Sequence, residues 1–162
     1  MSTEEDGKVQ FDRRVLYAFL IGTLLVGATA SVFTEPNIPG WYSALAKPNF
    51  NPPNFVFAPV WTALYVMMAV AAWRAWRVVG VMSMALTLYF LQLTFNFAWS
   101  LIFFAEHLID AALIDIVALW LAIAVTAIAF FRADRLAGLL MLPYLVWVSF
   151  ASLLNFEIWR LN

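Results

Sequence analysis

Phe57, Trp61, Tyr65 and Met68 recur at spacings of four, four and three. On a helix those spacings put all four on one face. Rings of this kind stack on flat apolar molecules, and a phenol or indole keeps one polar tip for a hydrogen bond. The segment leading in, Trp41 to Pro53, is polar and aromatic and carries Pro48, Pro52 and Pro53. Each proline lacks an N–H and pushes its predecessor out of the α region, so no regular element is expected there. Pro52 or Pro53 suits the first turn of the helix that follows. An aromatic helix face with a structured loop at its mouth points to a cavity, with residues 34–52 as its lid. Two later segments repeat the theme. Gln92, Asn96, Trp99 and Phe103 share one face, and Tyr144, Trp147, Ala151 and Leu154 share another.

The chain holds little catalytic equipment. There is no cysteine, so no disulfide, thiolate ligand or thiol nucleophile. His107 is the only histidine, and beside Glu106 it reads as a solvated turn residue rather than a haem-iron ligand. No H-x-x-H pair, carboxylate dyad with a base, Gly-rich phosphate loop or Ser-His-Asp set occurs, so hydrolysis and metal oxidation lack their parts and no metal site is expected. Gln92 and Asn96 are uncharged amides within a span and need partners. Packing suits Gln92, and a ligand carbonyl or carboxylate suits Asn96 at cavity depth. Asp115, about one turn into its helix, is expected to reach headgroups.

The elements that must position these residues follow from composition. Of 162 residues, 65% are hydrophobic and 12% charged. A soluble fold cannot hide that much apolar surface, so the solvent is a lipid bilayer. A net charge of −1 argues against a nucleic-acid partner. The expected class is all-α, a five-helix transmembrane bundle over residues 15–162, after a polar and mostly disordered tail at 1–14. The spans are expected at about 15–33, 53–78, 81–105, 109–131 and 136–159. The first also reads as a secretory signal with Ala28-Thr29-Ala30 as cleavage site. Its length and the small residues Thr23, Gly27 and Ser31 at spacing four favour a retained helix. Trp73, Arg74, Trp76 and Arg77 read as an interfacial belt with snorkelling cations. Pro143 is expected to kink the last helix.

Five spans put the termini on opposite sides. Lys8, Arg13, Arg14, Arg74, Arg77, Arg132 and Arg135 then share the N-terminal side, against Lys47 and Arg160 on the loop side. In a plasma membrane that bias places the N-terminus in the cytoplasm. At 1.5 Å rise per residue, Trp61, Asn96, Trp99, Trp147 and Ala151 all lie about 9–18 Å from the loop-side ends of their helices. One layer shared by three helices is what a cavity opening toward the loop requires. Belt residues account for Trp41, Tyr42, Trp73, Trp76 and Trp159, whereas Trp61 and Trp147 lie below the belt. No 20–50-residue repeat occurs, and five spans cannot split into equal inverted halves as in the usual secondary transporter.

Three motifs, in order, resemble the TspO/MBR family, the tryptophan-rich sensory proteins that include the mitochondrial translocator protein. They are W-Y-x-x-L-x-K-P-x-aromatic-x-P-P from Trp41 with its F-x-x-x-W-x-x-L-Y helix, the stretch Tyr89 to Ser100, and Pro143 to Asn155. Together they cover most of the chain from Trp41 onward. The resemblance implies that Trp61, Tyr65, Asn96, Trp99, Trp147 and Ala151 line a ligand pocket, to which Trp41 and Tyr42 of the loop are added. Trp99 departs from the other aromatic that members carry there, so shape selectivity is expected to differ. The implied ligands are porphyrins such as protoporphyrin IX or haem, with sterols and benzodiazepine-type drugs as alternatives and no obligatory cofactor. Lys47 at the mouth is placed to meet propionates. Leu154, Phe156 and Arg160 resemble the family's cholesterol-recognition segment, although the strict pattern has Tyr where Phe156 stands. The implied roles are receptor or sensor, transporter, or light-dependent porphyrin breakdown with Trp61 and Trp147 as redox-active indoles. A homodimer in a bacterial cell or outer membrane, or a mitochondrial outer membrane, is also implied.

Overall fold

The computed structural model describes the chain from Thr3 to Asn162, with side chains from Val9 onward, so Met1, Ser2 and the side chain of Lys8 lie outside the described features. Among the described residues, five helices are long and apolar enough to cross a membrane. They are α1 (Thr3–Thr34), α2 (Phe57–Val79), α3 (Met84–Ser100), α4 (Ile109–Ala133) and α5 (Arg135–Leu161). The expected all-α bundle is what forms.

Local chemistry sets the boundaries. Gly80 ends α2 at φ 75°, where a side chain would be strained, and its N–H closes on the Trp76 carbonyl. Ser83 caps α3 by accepting from the Leu86 N–H. Asp134 alone separates α4 from α5, extended at φ −149° and ψ 121°, with Oδ1 accepting from the Ala137 N–H at 2.7 Å. In the first turn of α2 the proline is Pro59, two residues in, while Pro53 precedes a 3₁₀ turn at Asn54–Val56.

Two expectations need correction. Among the described residues, the polar segment from Thr3 to Arg14 is helical, not a disordered tail, and continues unbroken into the span. Extending an existing helix is far easier than nucleating one, and α2 gives the extension partners. Phe11 packs on Trp76, Arg77 pairs with Asp12 at 3.2 Å, and the Trp73 indole donates to the Asp12 carbonyl at 3.1 Å. Trp73 and Trp76 are therefore helix-to-helix contacts as well as belt residues. The loop is also less irregular than its prolines imply. A 3₁₀ turn at Glu35–Asn37 and a π turn at Ile38–Tyr42 extend α1 before extended chain begins.

The helices close a ring in the order α1, α2, α5, α4, α3, with α1 and α3 adjacent. In its N-terminal-side half, Ala69, Ala71, Ala72 and Ala75 of α2 are fully buried. Leu86, Tyr89, Phe130, Met141 and Tyr144 pack in the same core. Outward, α4 exposes Ile114, Val117, Leu121, Val125 and Ile128, an apolar stripe consistent with a lipid environment.

Candidate functional site

In the loop-side half the ring encloses a cavity of about 550 Å³, within the range of small-molecule sites. The α2 stripe forms one wall. Trp61 stacks on Tyr65 (centroids 5.6 Å, planes 30°) and meets Tyr144 edge-on at 6.1 Å, while Phe57 meets Trp147 edge-on at 5.9 Å. Trp99 on the opposite wall stacks on Phe103 at 5.0 Å. Seven of the eight proposed ligand residues line this space: Tyr42, Trp61, Tyr65, Asn96, Trp99, Trp147 and Ala151.

Trp41 does not line it. Its indole stacks on the His107 imidazole at 4.2 Å, and His107 Nε2 lies 3.1 Å from Asn37 Oδ1. His107 takes φ 59°, strained for a residue with a side chain, at the turn between α3 and α4. Its ring thus fastens the loop from outside the cavity. Of the sterol-type segment, Leu154 lines the cavity, Phe156 is exposed, and Arg160 is exposed and paired with Glu157 at 2.6 Å. The three are not brought to one place.

Two pairs of the cavity's polar side chains bond each other, Tyr65 with Asn96 and Trp99 with Asn155. The Tyr65 hydroxyl donates to Asn96 Oδ1 at 2.6 Å, and Asn96 Nδ2 donates to the Tyr144 hydroxyl at 3.0 Å. One amide thus ties α2, α3 and α5 together, and both its polar atoms are engaged within the protein. The Trp99 indole donates to Asn155 Oδ1 at 2.9 Å, and Asn155 Nδ2 donates to the Ile109 carbonyl at 3.2 Å. The buried indole N–H of Trp147 lacks a partner. Gln92 is fully buried against Met68 Sδ with its Oε1 unpaired, in keeping with a packing role. Asp115 does not behave as a free headgroup contact: its Oδ2 is buried without a partner.

The roof is the loop. The Tyr42 hydroxyl donates to Asn51 Oδ1 at 3.0 Å, and Ala46 exchanges two hydrogen bonds with the side chain of Asn162. Lys47 does not line the cavity. Its ammonium donates to the carbonyls of Ser43 and Leu45 and lies over the Tyr42 ring at 4.7 Å, and desolvation there lowers its pKa below the usual lysine value. Among the described residues, Glu35 is the one charged side chain in the lining, and no three His, Asp or Glu side chains converge to hold a metal.

Sequence reasoning missed α1. Gly27, Ala28 and Ser31 line the cavity, and a Cβ on Gly27 would collide with the Tyr65 ring. Their signal was the small-residue spacing, which serves helix packing and cavity lining alike. Asn155 was seen only as the end of a motif, since nothing in the sequence pairs it with Trp99.

A model of the TspO/MBR family matches residues 19–160. The tryptophan-rich protein TspO of Chlorobaculum tepidum is 43% identical over 150 residues, covering 90% of this chain and 94% of that protein. Protein CrtK of Rhodobacter capsulatus is 35% identical over 148 residues, covering 89% and 90%. The translocator protein of Sus scrofa is 35% identical over 150 residues, covering 88% and 89%.

Proposed function

The chain belongs to the TspO/MBR family of multi-pass membrane proteins, and from that premise we propose that it is a membrane receptor taking a porphyrin into the cavity. The observation that carries this reading is the pair Trp61 and Trp147, on α2 and α5, lining one space of about 550 Å³ with Trp99 across from them. Indole walls suit a flat aromatic macrocycle. The bonded amides leave few polar groups for a ligand, so its body is apolar and its carboxylates stay at the mouth. The Trp147 N–H is buried without a partner, and the Trp61 indole, Asn54 and Ser100 add polar tips to the lining. Sterols and benzodiazepine-type drugs share the apolar body but lack the macrocycle's stacking area.

Titration of the purified protein with protoporphyrin IX, followed by tryptophan fluorescence, tests this. Saturable quenching that weakens in Trp61→Ala and Trp147→Ala is expected. Quenching that never saturates, or that both variants leave unchanged, defeats the reading.

A second reading has its own observation. Trp61 stacks on Tyr65, whose hydroxyl is hydrogen-bonded to Asn96, so oxidisable rings adjoin the cavity. That arrangement favours light-driven oxidation of a bound porphyrin by dioxygen. Illumination with absorbance readout separates the two: binding alone leaves the chromophore intact, whereas breakdown removes it. Uptake into liposomes tests transport.

A further inference from the structure

We propose that ligands enter this cavity from the bilayer, through a window between α1 and α2, rather than from water past the loop. The proposal rests on the reading of the cavity as a ligand site and names the class it takes: flat apolar molecules already partitioned into the membrane.

The window shows in how α1 covers α2. Ala58, Thr62, Ala69 and Trp76, at spacings of four, seven and seven, lie along one stripe of α2. That stripe faces α1, since Trp76 packs on Phe11 and Tyr65, near the stripe, lies against Gly27. In the N-terminal-side half the seam is shut: Ala69 is fully buried and Trp76 half-buried. Beyond the Gly27–Tyr65 crossing, Ala58 and Thr62 are exposed, as is Ala28 across from them on α1, yet all three line the cavity.

The rim is suited to an apolar passenger. Its hydroxyls are turned onto their own helices: Thr62 donates to the Ala58 carbonyl at 2.8 Å, and Ser31 to the Ala28 carbonyl at 2.8 Å. A donor satisfied this way costs nothing against hydrocarbon. Between them Gly27, Ala28 and Ala58 are too small to block the opening, and Glu35, one turn beyond Ser31, marks its loop-side end. The water side is the opposite case. There the loop is fastened at three points, by Tyr42 to Asn51, Ala46 to Asn162, and Trp41 to His107. Entry past it would break several hydrogen bonds, whereas entry through the window breaks none.

The test uses the full chain in phosphatidylcholine vesicles, with protoporphyrin IX as probe and stopped-flow tryptophan quenching as readout. Ala58→Phe and, on the facing rim, Ala28→Phe narrow the window. Each should slow association and dissociation together by about tenfold or more. A short bis-maleimide crosslink between Ala46→Cys and Asn162→Cys pins the loop in a chain that has no other thiol. It should leave both rates unchanged. Slowing by the crosslink, or unchanged rates in both Phe variants, overturns the window. A second arm needs no porphyrin. Vesicles of phospholipid brominated on the acyl chain should quench a component of the emission that is missing in Trp61→Phe and diminished in Ala58→Phe. A Trp61 component untouched by bromine overturns the proposal whether or not porphyrin binds. Failure of porphyrin to bind, with that quenching present, defeats only the choice of ligand.

Discussion

The two halves of this bundle are built from the same five helices, yet one is full and the other hollow. In the N-terminal-side half the small residues of α2 touch their neighbours directly, and Ala69, Ala71, Ala72 and Ala75 have no exposed surface. In the loop-side half the large rings stand around a void of about 550 Å³. Along α2, Phe57, Trp61 and Tyr65 face the empty half and the buried alanines the dense one. The reason is attachment. Tyr65, Asn96 and Tyr144 hold one another across three helices, and Trp99 is held to Asn155. Rings pinned by their polar tips line a space instead of collapsing into it. Alanines have nothing to pin them and close up by dispersion alone, which in lipid is the main attraction between helices.

If hydrogen bonds prop the hollow half open, breaking the central one should have the largest effect. Asn96→Leu leaves the hydroxyls of Tyr65 and Tyr144 without the partner they share. Two buried orphans imply a loss of about 2–4 kcal/mol, read as thermal stability in detergent, together with loss of porphyrin binding. The matched change in the dense half is Thr126→Val. Thr126 is equally buried, but its hydroxyl bonds only its own helix, to the Ala122 carbonyl at 2.7 Å. Its loss should stay below about 1 kcal/mol. Equal losses at the two sites would erase the distinction between the halves.

Filling sharpens the contrast from the other direction. Ala72→Leu forces extra carbons into a packed wall and should cost about 1–3 kcal/mol. Ala151→Leu puts the same carbons into the cavity. It should leave stability nearly unchanged while weakening porphyrin binding. A stability loss at Ala151 as large as that at Ala72 would mean that the space is already taken. Next comes the indole pair. Trp61→Ala and Trp147→Ala should each weaken porphyrin binding by about 1–3 kcal/mol if both rings are buried anchors, and the Phe variants less, because a smaller ring still stacks. Trp73→Phe is the control from the dense half, where the indole bonds the Asp12 carbonyl and carries Arg77 on its face at 5.0 Å. It should lower stability and spare binding.

How much of this was legible beforehand follows the same division. The five spans were readable because apolar length is a local property of the sequence, and the aromatic face of α2 because helical spacing is too. The common depth of Trp61, Asn96, Trp99, Trp147 and Ala151 needed only the rise per residue. What resisted was pairing between helices. Asn96 was read as a free donor, but its amide is engaged on both sides by tyrosines whose approach no periodicity announces. Lys47 was read as a mouth residue, and the carbonyls of Ser43 and Leu45 that hold its ammonium within the loop could not be foreseen from the sequence. The helical extension of α1 was missed because its stability comes from Trp73, Trp76 and Arg77, sixty residues away.

The smallest expected effect concerns the clasp that shuts the dense half. Arg74 on α2 holds Asp134, between α4 and α5, through two hydrogen bonds of 2.9 and 2.8 Å. The guanidinium first, and the Ala137 N–H second, hold the Asp134 carboxyl below the usual aspartate value. A carboxyl so lowered takes up protons more readily in the unfolded chain than in the folded one. Its stabilisation is therefore complete above the unfolded value of about 3.9 and disappears as pH falls through the lower folded value. Both side chains are partly exposed, at 31% and 21%, so water and salt screen the pair, and it contributes at most about 1 kcal/mol. The melting temperature in detergent should then fall between about pH 5 and pH 3 by a few degrees more in the parent chain than in Asp134→Asn. Asparagine can still cap α5 but has no proton to gain. The hollow half has no counterpart among its ring contacts, since Tyr65, Asn96 and Tyr144 are all neutral across that range. If Asp134→Asn loses stability with acid as steeply as the parent, the acid-sensitive group lies elsewhere, and the clasp does not set how the dense half responds to pH.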